Sequence, residues 1–224
     1  MTHIEYEKRI VCYFDILGFG DAVFQKNLNA ETIGELFKEI QEIIVEYQQD
    51  HIQISHFSDS FVISILHRTT SQTQLRFVMD TLIKLLEYKL TARGAIVYGE
   101  IIHTGKTIFG PALVKADCIE KHKAIYPRII LDESLDELPI PTIGKASITY
   151  RKYFNDFNFI KTDKDNEFYI DFISGLKIRG NSTTLTENIE ELINSGIQNQ
   201  NIKISQKYHW LKDKYECYLK TFQD

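Results

Sequence analysis

The sequence predicts an α/β sandwich of the α+β kind, with a mostly antiparallel sheet and helices on one face. Three observations point to it. Apolar runs of strand length end at glycine or polar turns, amphipathic stretches of helical period lie between them, and one pair of runs is so closely spaced that only a hairpin can join it. With 224 residues the chain has room for one domain, or for a domain with a small appendage.

Residues 9–17 (Arg-Ile-Val-Cys-Tyr-Phe-Asp-Ile-Leu) are apolar, β-branched and aromatic, and end at Gly18 and Gly20, which predicts a buried central strand. From Glu31 to Gln48, Ile33, Leu36, Phe37, Ile40, Ile43, Ile44 and Tyr47 recur at helical spacing, behind a Thr32-x-x-Glu35 capping box. Ile52–Phe57 and Phe61–Leu66 flank only Ser58-Asp59-Ser60, a tight hairpin. A second amphipathic helix is expected from Ser71 to Tyr88. Thr91–Gly99 reads as a strand, Glu100–Ile108 as its hairpin partner around Gly105, Pro111–Ala124 as a helix and Tyr126–Leu131 as a strand. Residues 132–150, with Pro139 and Pro141, read as a loop. Tyr153–Ile160 and Phe168–Ile173 suggest a further hairpin, and helices at Leu185–Ser195 and Ile202–Phe222 close the chain.

Composition excludes several classes. A 43% hydrophobic, 25% charged chain is not intrinsically disordered. Its 26 basic and 31 acidic residues give a net charge of −5 with no long basic run, so no nucleic-acid polymer is expected as a partner. Cys12, Cys118 and Cys217 are odd in number and widely spaced, as reduced cytosolic thiols are. No signal-peptide pattern and no apolar run near ~18 residues is present, so a cytoplasmic location and no membrane are expected.

The chemistry concentrates on two acids. Asp15 sits within an apolar strand, where a carboxylate costs several kcal/mol unless it lies at the strand end with a partner. Asp59 alone is ordinary turn composition. Together, a strand-end Asp and a hairpin-turn Asp on adjacent strands put two hard oxygen ligands at one sheet edge, as Mg²⁺ or Mn²⁺ on a phosphate substrate requires. Gly18-Phe19-Gly20 adds a flexible turn whose backbone N–H groups suit phosphate oxygens.

Phe14-Asp15-Ile16-Leu17-Gly18-Phe19 resembles the first metal-binding block of class III nucleotidyl cyclases, and Phe57-Ser58-Asp59-Ser60-Phe61 their second metal-Asp hairpin, with Ser58 where glycine is usual. Arg93-Gly94-Ala95-Ile96-Val97-Tyr98-Gly99-Glu100, Phe109-Gly110-Pro111-Ala112-Leu113 and Ala124-Ile125-Tyr126-Pro127-Arg128-Ile129 resemble the pyrimidine cyclases of bacterial Pycsar antiphage systems. The resemblance covers residues 9–131. It implies a ferredoxin-like cyclase sandwich, with residues 1–131 as catalytic core and 132–224 as a C-terminal extension packed on the core or dimer. It further implies a homodimer with composite active sites that cyclises a nucleoside triphosphate, UTP favoured and CTP the alternative, and releases pyrophosphate. Two Mn²⁺ or Mg²⁺ ions per site would be held by Asp15, Ile16 and Asp59, with Gly18 and Phe19 beside the substrate. The cyclic nucleotide would activate a separate effector in antiphage defence.

The sequence also departs from the purine cyclases it resembles. Val114 and Cys118 stand where they carry the Asn and Arg that position ribose and stabilise the transition state; Arg93, Lys115 and Arg128 are the candidate replacement cations. Ser55 and Thr107 stand at the base-reading positions, two hydroxyls that do not encode a purine edge and are compatible with a smaller pyrimidine. The other readings are a purine cyclase with an unusual pocket and an inactive cyclase-like nucleotide-binding module. Gly105-Lys106-Thr107 mimics a P-loop, but its required first glycine falls on Glu100, with Gly99 one place early. The seven histidines lack metal-ligand spacing. Trp210 is expected to pack within the monomer or at a dimer surface.

Overall fold

Strand β1 (Glu7–Leu17) is the axis of the fold, and its alternation sorts the molecule into two layers. Ile10, Cys12, Phe14 and Ile16 enter the main hydrophobic core, while Val11 enters a smaller one on the opposite face. The computed structural model describes residues 5–25, 28–47, 52–67, 75–105, 107–138, 149–151, 159–178 and 183–221. After β1 come α1 (Phe19–Phe24), α2 (Ala30–Tyr47), the hairpin β2 (Ile52–Phe57) and β3 (Ser60–Ile65), and α3 (Arg76–Glu87). Then follow β4 (Thr91–Thr104), β5 (Thr107–Phe109), α4 (Pro111–His122) and β6 (Ile129–Leu131). A short 3₁₀ turn (Glu133–Glu137), β7 (Ile160–Thr162), β8 (Phe168–Ile170), α5 (Phe172–Ile178), α6 (Thr183–Ile197) and α7 (Ile202–Lys220) complete the described chain.

The sheet runs in the order β2-β3-β1-β4-β6-β8-β7, with β5 paired to the far end of β4. Only β4 and β6 are parallel; the other pairs are antiparallel, so the expected mostly antiparallel sheet is present. The main helical layer packs on the face of Ile10 and Phe14. Its central helix α3 buries Phe77, Val78, Leu82, Leu85 and Leu86 among others, because it lies between the sheet and the outer helices. Helix α4 packs on the other face, setting Ala112, Ala116 and Ile119 against Val11, Ala95 and Val97. Gly94 is required by the close approach of β4 to β1: a Cβ there would stand 2.1 Å from the Tyr13 carbonyl oxygen.

Several expected boundaries move. Helix α2 is capped by Asn29, whose Oδ1 accepts the Thr32 N–H at 2.8 Å; Thr32 itself is inside the helix, so the Thr32-x-x-Glu35 box is not the cap. Strand β4 continues through Gly99 to Thr104 and then pairs with β5, Thr104 opposite Thr107. The strand expected over Tyr126–Leu131 is shortened to Ile129–Leu131. The segment expected to extend a strand to Ile173 turns instead into α5, with the Asp171 carboxylate accepting from the Ser174 hydroxyl at 2.5 Å. The expected helix start at 71–74, the loop at 139–148, the strand portion at 153–158 and the end of the last helix at 222 lie outside the described residues. Strand β8 pairs with β6, Ile130 opposite Tyr169, so the sheet runs on past residue 131. Cys12 is buried and Cys118 and Cys217 are exposed, all three as free thiols. Among the described residues no helix is long and apolar enough to cross a membrane.

Candidate active site

Asp15 occupies the last turn of the pleat in β1, on the face that α4 leaves partly open. Its cross-strand neighbours are Ser60 in β3 and Arg93 in β4. The Ser60 hydroxyl donates to Asp15 Oδ1 at 2.9 Å. Asp59 occupies the two-residue turn between β2 and β3, and its carbonyl accepts the Ile16 N–H at 3.0 Å, which ties the turn to the strand beside Asp15. Ser58 takes a positive φ of 54° to make that turn, the backbone region that favours glycine.

Burial raises the pKa of the Asp15 carboxyl above its ordinary value; the Ser60 hydrogen bond opposes this, the Asp59 charge adds to it, and Arg93 and Lys207 counter it. Two carboxylates that disfavour each other's charge are relieved by a cation between them, so the donor chemistry fits a divalent metal. Among the described residues no cluster of three or more His, Cys, Asp or Glu side chains could hold one. The Asp pair alone would be a partial shell, of the kind Mg²⁺ accepts when water and substrate phosphates complete its coordination.

Arg93 is half-buried and makes an ion pair with Glu120 of α4, Nε to Oε1 2.6 Å. Glu120 is only 2% exposed, and burial raises its pKa against the lowering effect of Arg93. Lys207 of α7 is also half-buried. Its pKa is lowered by burial first and by Arg93 second, while Glu120 and Asp15 act in the opposite direction. Asp15, Asp59, Arg93, Glu120 and Lys207 thus form one electrostatic group.

Helix α7 places Lys207 through a stripe at three- and four-residue spacing. Trp210 stacks on Tyr126 with ring centroids 5.5 Å apart and donates to Asp163 at 2.7 Å. Lys214, one turn on, donates to the same carboxylate at 2.6 Å. Trp210 is therefore a packing residue of the monomer, and the anchored stripe carries Lys207 at its N-terminal end.

Four other expected residues have the following surroundings. Gly18 caps the six-residue α1 in the left-handed conformation, and the Phe19 ring stacks on Phe37 at 5.8 Å, turned to the main helical layer. Lys115 pairs with Asp132 at 2.5 Å. Arg128, expected as a catalytic cation, is not brought to the Asp15 group. It is fully buried, bonded to Asp163 at 2.5 Å and bidentate to Asp165, with its guanidinium over Tyr126. That geometry makes it the pin between the loop before β6 and the β7–β8 turn.

Ser55 and Thr107 are not brought together: Ser55 shares the open face with Asp15, while Thr107 pairs with Thr104, one residue beyond His103 and so on the other side of β4. Ser55 lies in β2 four residues before Asp59, and Thr107 opens β5 opposite Thr104. His103 of β4 reaches over to β2 and β3, its Nε2 2.9 Å from Ser55 Oγ and its Nδ1 2.9 Å from Ser64 Oγ. Three residues of this region were not singled out from sequence. Glu120 and Lys207 are charged residues on amphipathic helices, indistinguishable there from solvated ones, and His103 lacks a ligand-like spacing. The one available signal was the 207-210-214 stripe.

No protein-family model matches the chain, and no curated protein matches it in sequence. Solved structures do match. The guanylyl cyclase domain of the RhoGC fusion protein from the aquatic fungus Blastocladiella emersonii, in monomeric form, has a TM-score of 0.52 at 15% identity, covering 75% of this chain and 98% of that one. The same domain as a non-canonical dimer has a TM-score of 0.50 at 13% identity, covering 74% and 97%. At this identity the likeness is one of fold, and the fold is that of the class III nucleotidyl cyclases.

Proposed function

We propose that this chain is a metal-dependent nucleotide cyclase that converts UTP to 3′,5′-cyclic UMP and pyrophosphate. The observation that carries the proposal is the Asp15–Asp59 pair at the open edge of a cyclase fold. Mn²⁺ or Mg²⁺, two per site, held by Asp15, Asp59 and Ile16, would lower the pKa of the ribose 3′-hydroxyl and neutralise the triphosphate. The 3′-oxygen, its proton passed to solvent water, would bond to the α-phosphorus as the bond from that phosphorus to the departing pyrophosphate breaks. Arg93 and Lys207 supply fixed positive charge beside the aspartates for the phosphates, in place of the Arg expected at Cys118. Ser55 offers the base a hydroxyl and no purine-reading carboxylate or ammonium.

The active form would be a cytoplasmic homodimer with composite sites, with residues 1–131 as catalytic core and 132–224 as its extension. Its product would be the second messenger of an antiphage response, read by a separate effector. Val114, 68% exposed, stands where the ribose-positioning Asn is expected and favours the second reading, a nucleotide-binding module without turnover.

Purified protein given each of the four nucleoside triphosphates with Mn²⁺ is expected to yield cyclic UMP by chromatography. Cyclic CMP as main product would reassign the substrate, and no cyclic product from any triphosphate would overturn the proposal. Lys207→Ala is expected to raise the KM for UTP about tenfold or more, the scale of a lost hydrogen bond to a charged group, and Lys207→Arg to recover most of it. An unchanged KM in the alanine variant would remove Lys207 from the phosphate site.

A further inference from the structure

The Ser64–His103–Ser55 chain is a built device rather than an incidental contact. His103 is 6% exposed, and both of its ring nitrogens are engaged at 2.9 Å by hydroxyls from two different strands. It lies in β4 beyond Ile101, the residue that pairs with Glu7 near the start of β1, and so can reach across the end of β1 to β3 and β2. Burial, with the Arg9 charge nearby, lowers its pKa to about 4. At neutral pH the ring therefore carries one donor and one acceptor nitrogen, and the chain of three groups has a direction.

Direction matters at Ser55, which is half-buried at the edge of the open face. A freely rotating hydroxyl serves any base equally, because it donates or accepts on demand. A hydroxyl held by a neutral imidazole presents one polarity. Uracil offers a donor at N3 between two carbonyl acceptors, whereas cytosine offers an acceptor at N3 and a donor on N4. The two bases are therefore opposite at the atoms a single hydroxyl can test.

We propose that His103 is a specificity-positioning residue: as the Nδ1–H tautomer it donates to Ser64 Oγ and accepts from the Ser55 hydroxyl, leaving Ser55 lone pairs for the N3–H of uracil. This rests on the reading of Ser55 as a base-contacting residue of a pyrimidine cyclase. His103 touches no substrate, so its removal should change which base is chosen more than how fast phosphorus is attacked.

The test combines substrate competition with spectroscopy. His103→Phe keeps a ring of similar size and releases both serines; the ratio of kcat/KM for UTP over CTP is expected to fall about tenfold. Binding of magnesium tripolyphosphate, which has no base, should stay at the wild-type value. His103→Gln, which keeps one donor and one acceptor, should hold more of the discrimination and serves if the phenylalanine variant fails to fold. A UTP/CTP ratio unchanged in both variants overturns the proposal. Independently, ¹⁵N–¹H correlation spectra of the wild-type ring at pH 7 are expected to show a neutral Nδ1–H tautomer; a charged ring or an Nε2–H tautomer overturns it. If the wild-type protein forms no cyclic nucleotide, the parent reading fails by itself, and the spectra still judge the relay.

Discussion

Asp15→Asn is expected to lower cyclic-nucleotide formation by at least about 100-fold while leaving the protein as stable as the wild type or more so. The two effects separate because the charge on Asp15 is disfavoured where it stands. Burial and the neighbouring Asp59 both raise its pKa, so removing the charge costs the fold nothing and relieves a repulsion. The Ser60 hydroxyl, 2.9 Å away, still finds an acceptor in the asparagine carbonyl. Turnover is lost because a neutral amide is a poor ligand for a hard divalent cation. Asp59→Asn should likewise lower turnover. Steady-state product formation and thermal melting of each variant provide the check. Turnover within a factor of two of wild type would show that the carboxylates are not the metal ligands, and a large drop in melting temperature would mark Asp15 as structural.

Arg128→Ala is expected to act in the opposite way, costing about 3–5 kcal/mol of stability. The substitution leaves Asp165 without its bidentate partner, and leaves Asp163 to Lys214, Trp210 and the Lys164 N–H. Trp210 is the single tryptophan of the chain, so its fluorescence reports directly on this junction during urea unfolding. The expected result is a lower midpoint, with the emission of the folded variant already shifted as α7 loosens. A variant of wild-type stability that has lost turnover would return Arg128 to the chemistry.

The contrast between these two residues shows what was legible in the sequence. Asp15 could be read because a carboxylate in an apolar strand is a local contradiction, and Asp59 because its turn is only two residues long. Arg128 sat in a block that resembles a cyclase motif, but its role depends on Asp163 and Asp165, more than thirty residues later and across the sheet. Periodicity placed β1 and α2 well, since each has a single apolar repeat. It placed α5 poorly, because Phe172–Ile178 is short and apolar on most positions, so strand and helix periods cannot be told apart. The cap of α2 fell to Asn29 and not Thr32 because capping depends on where the helix starts, which the repeat fixes only to within a turn. Lys207 was out of reach for a different reason. Along the chain only the 207-210-214 spacing marks it, and the docking of Trp210 and Lys214 on Asp163 sets it beside Asp15.

The parity of the central strands has an evolutionary consequence. In β1 the even-numbered residues from Ile10 to Ile16 fill the main core, and the odd-numbered ones end at Asp15. In β4 the same side carries Arg93 and His103, with Ala95 and Val97 between them. Packing and chemistry are thus written in alternate letters of the same segments. Substitutions can accumulate on the open side and retune ligand choice while the helical layer keeps its sequence, so relatives that share this core can diverge in what they bind. A one-residue insertion within β1 has no such freedom, because it would exchange the two alphabets at once.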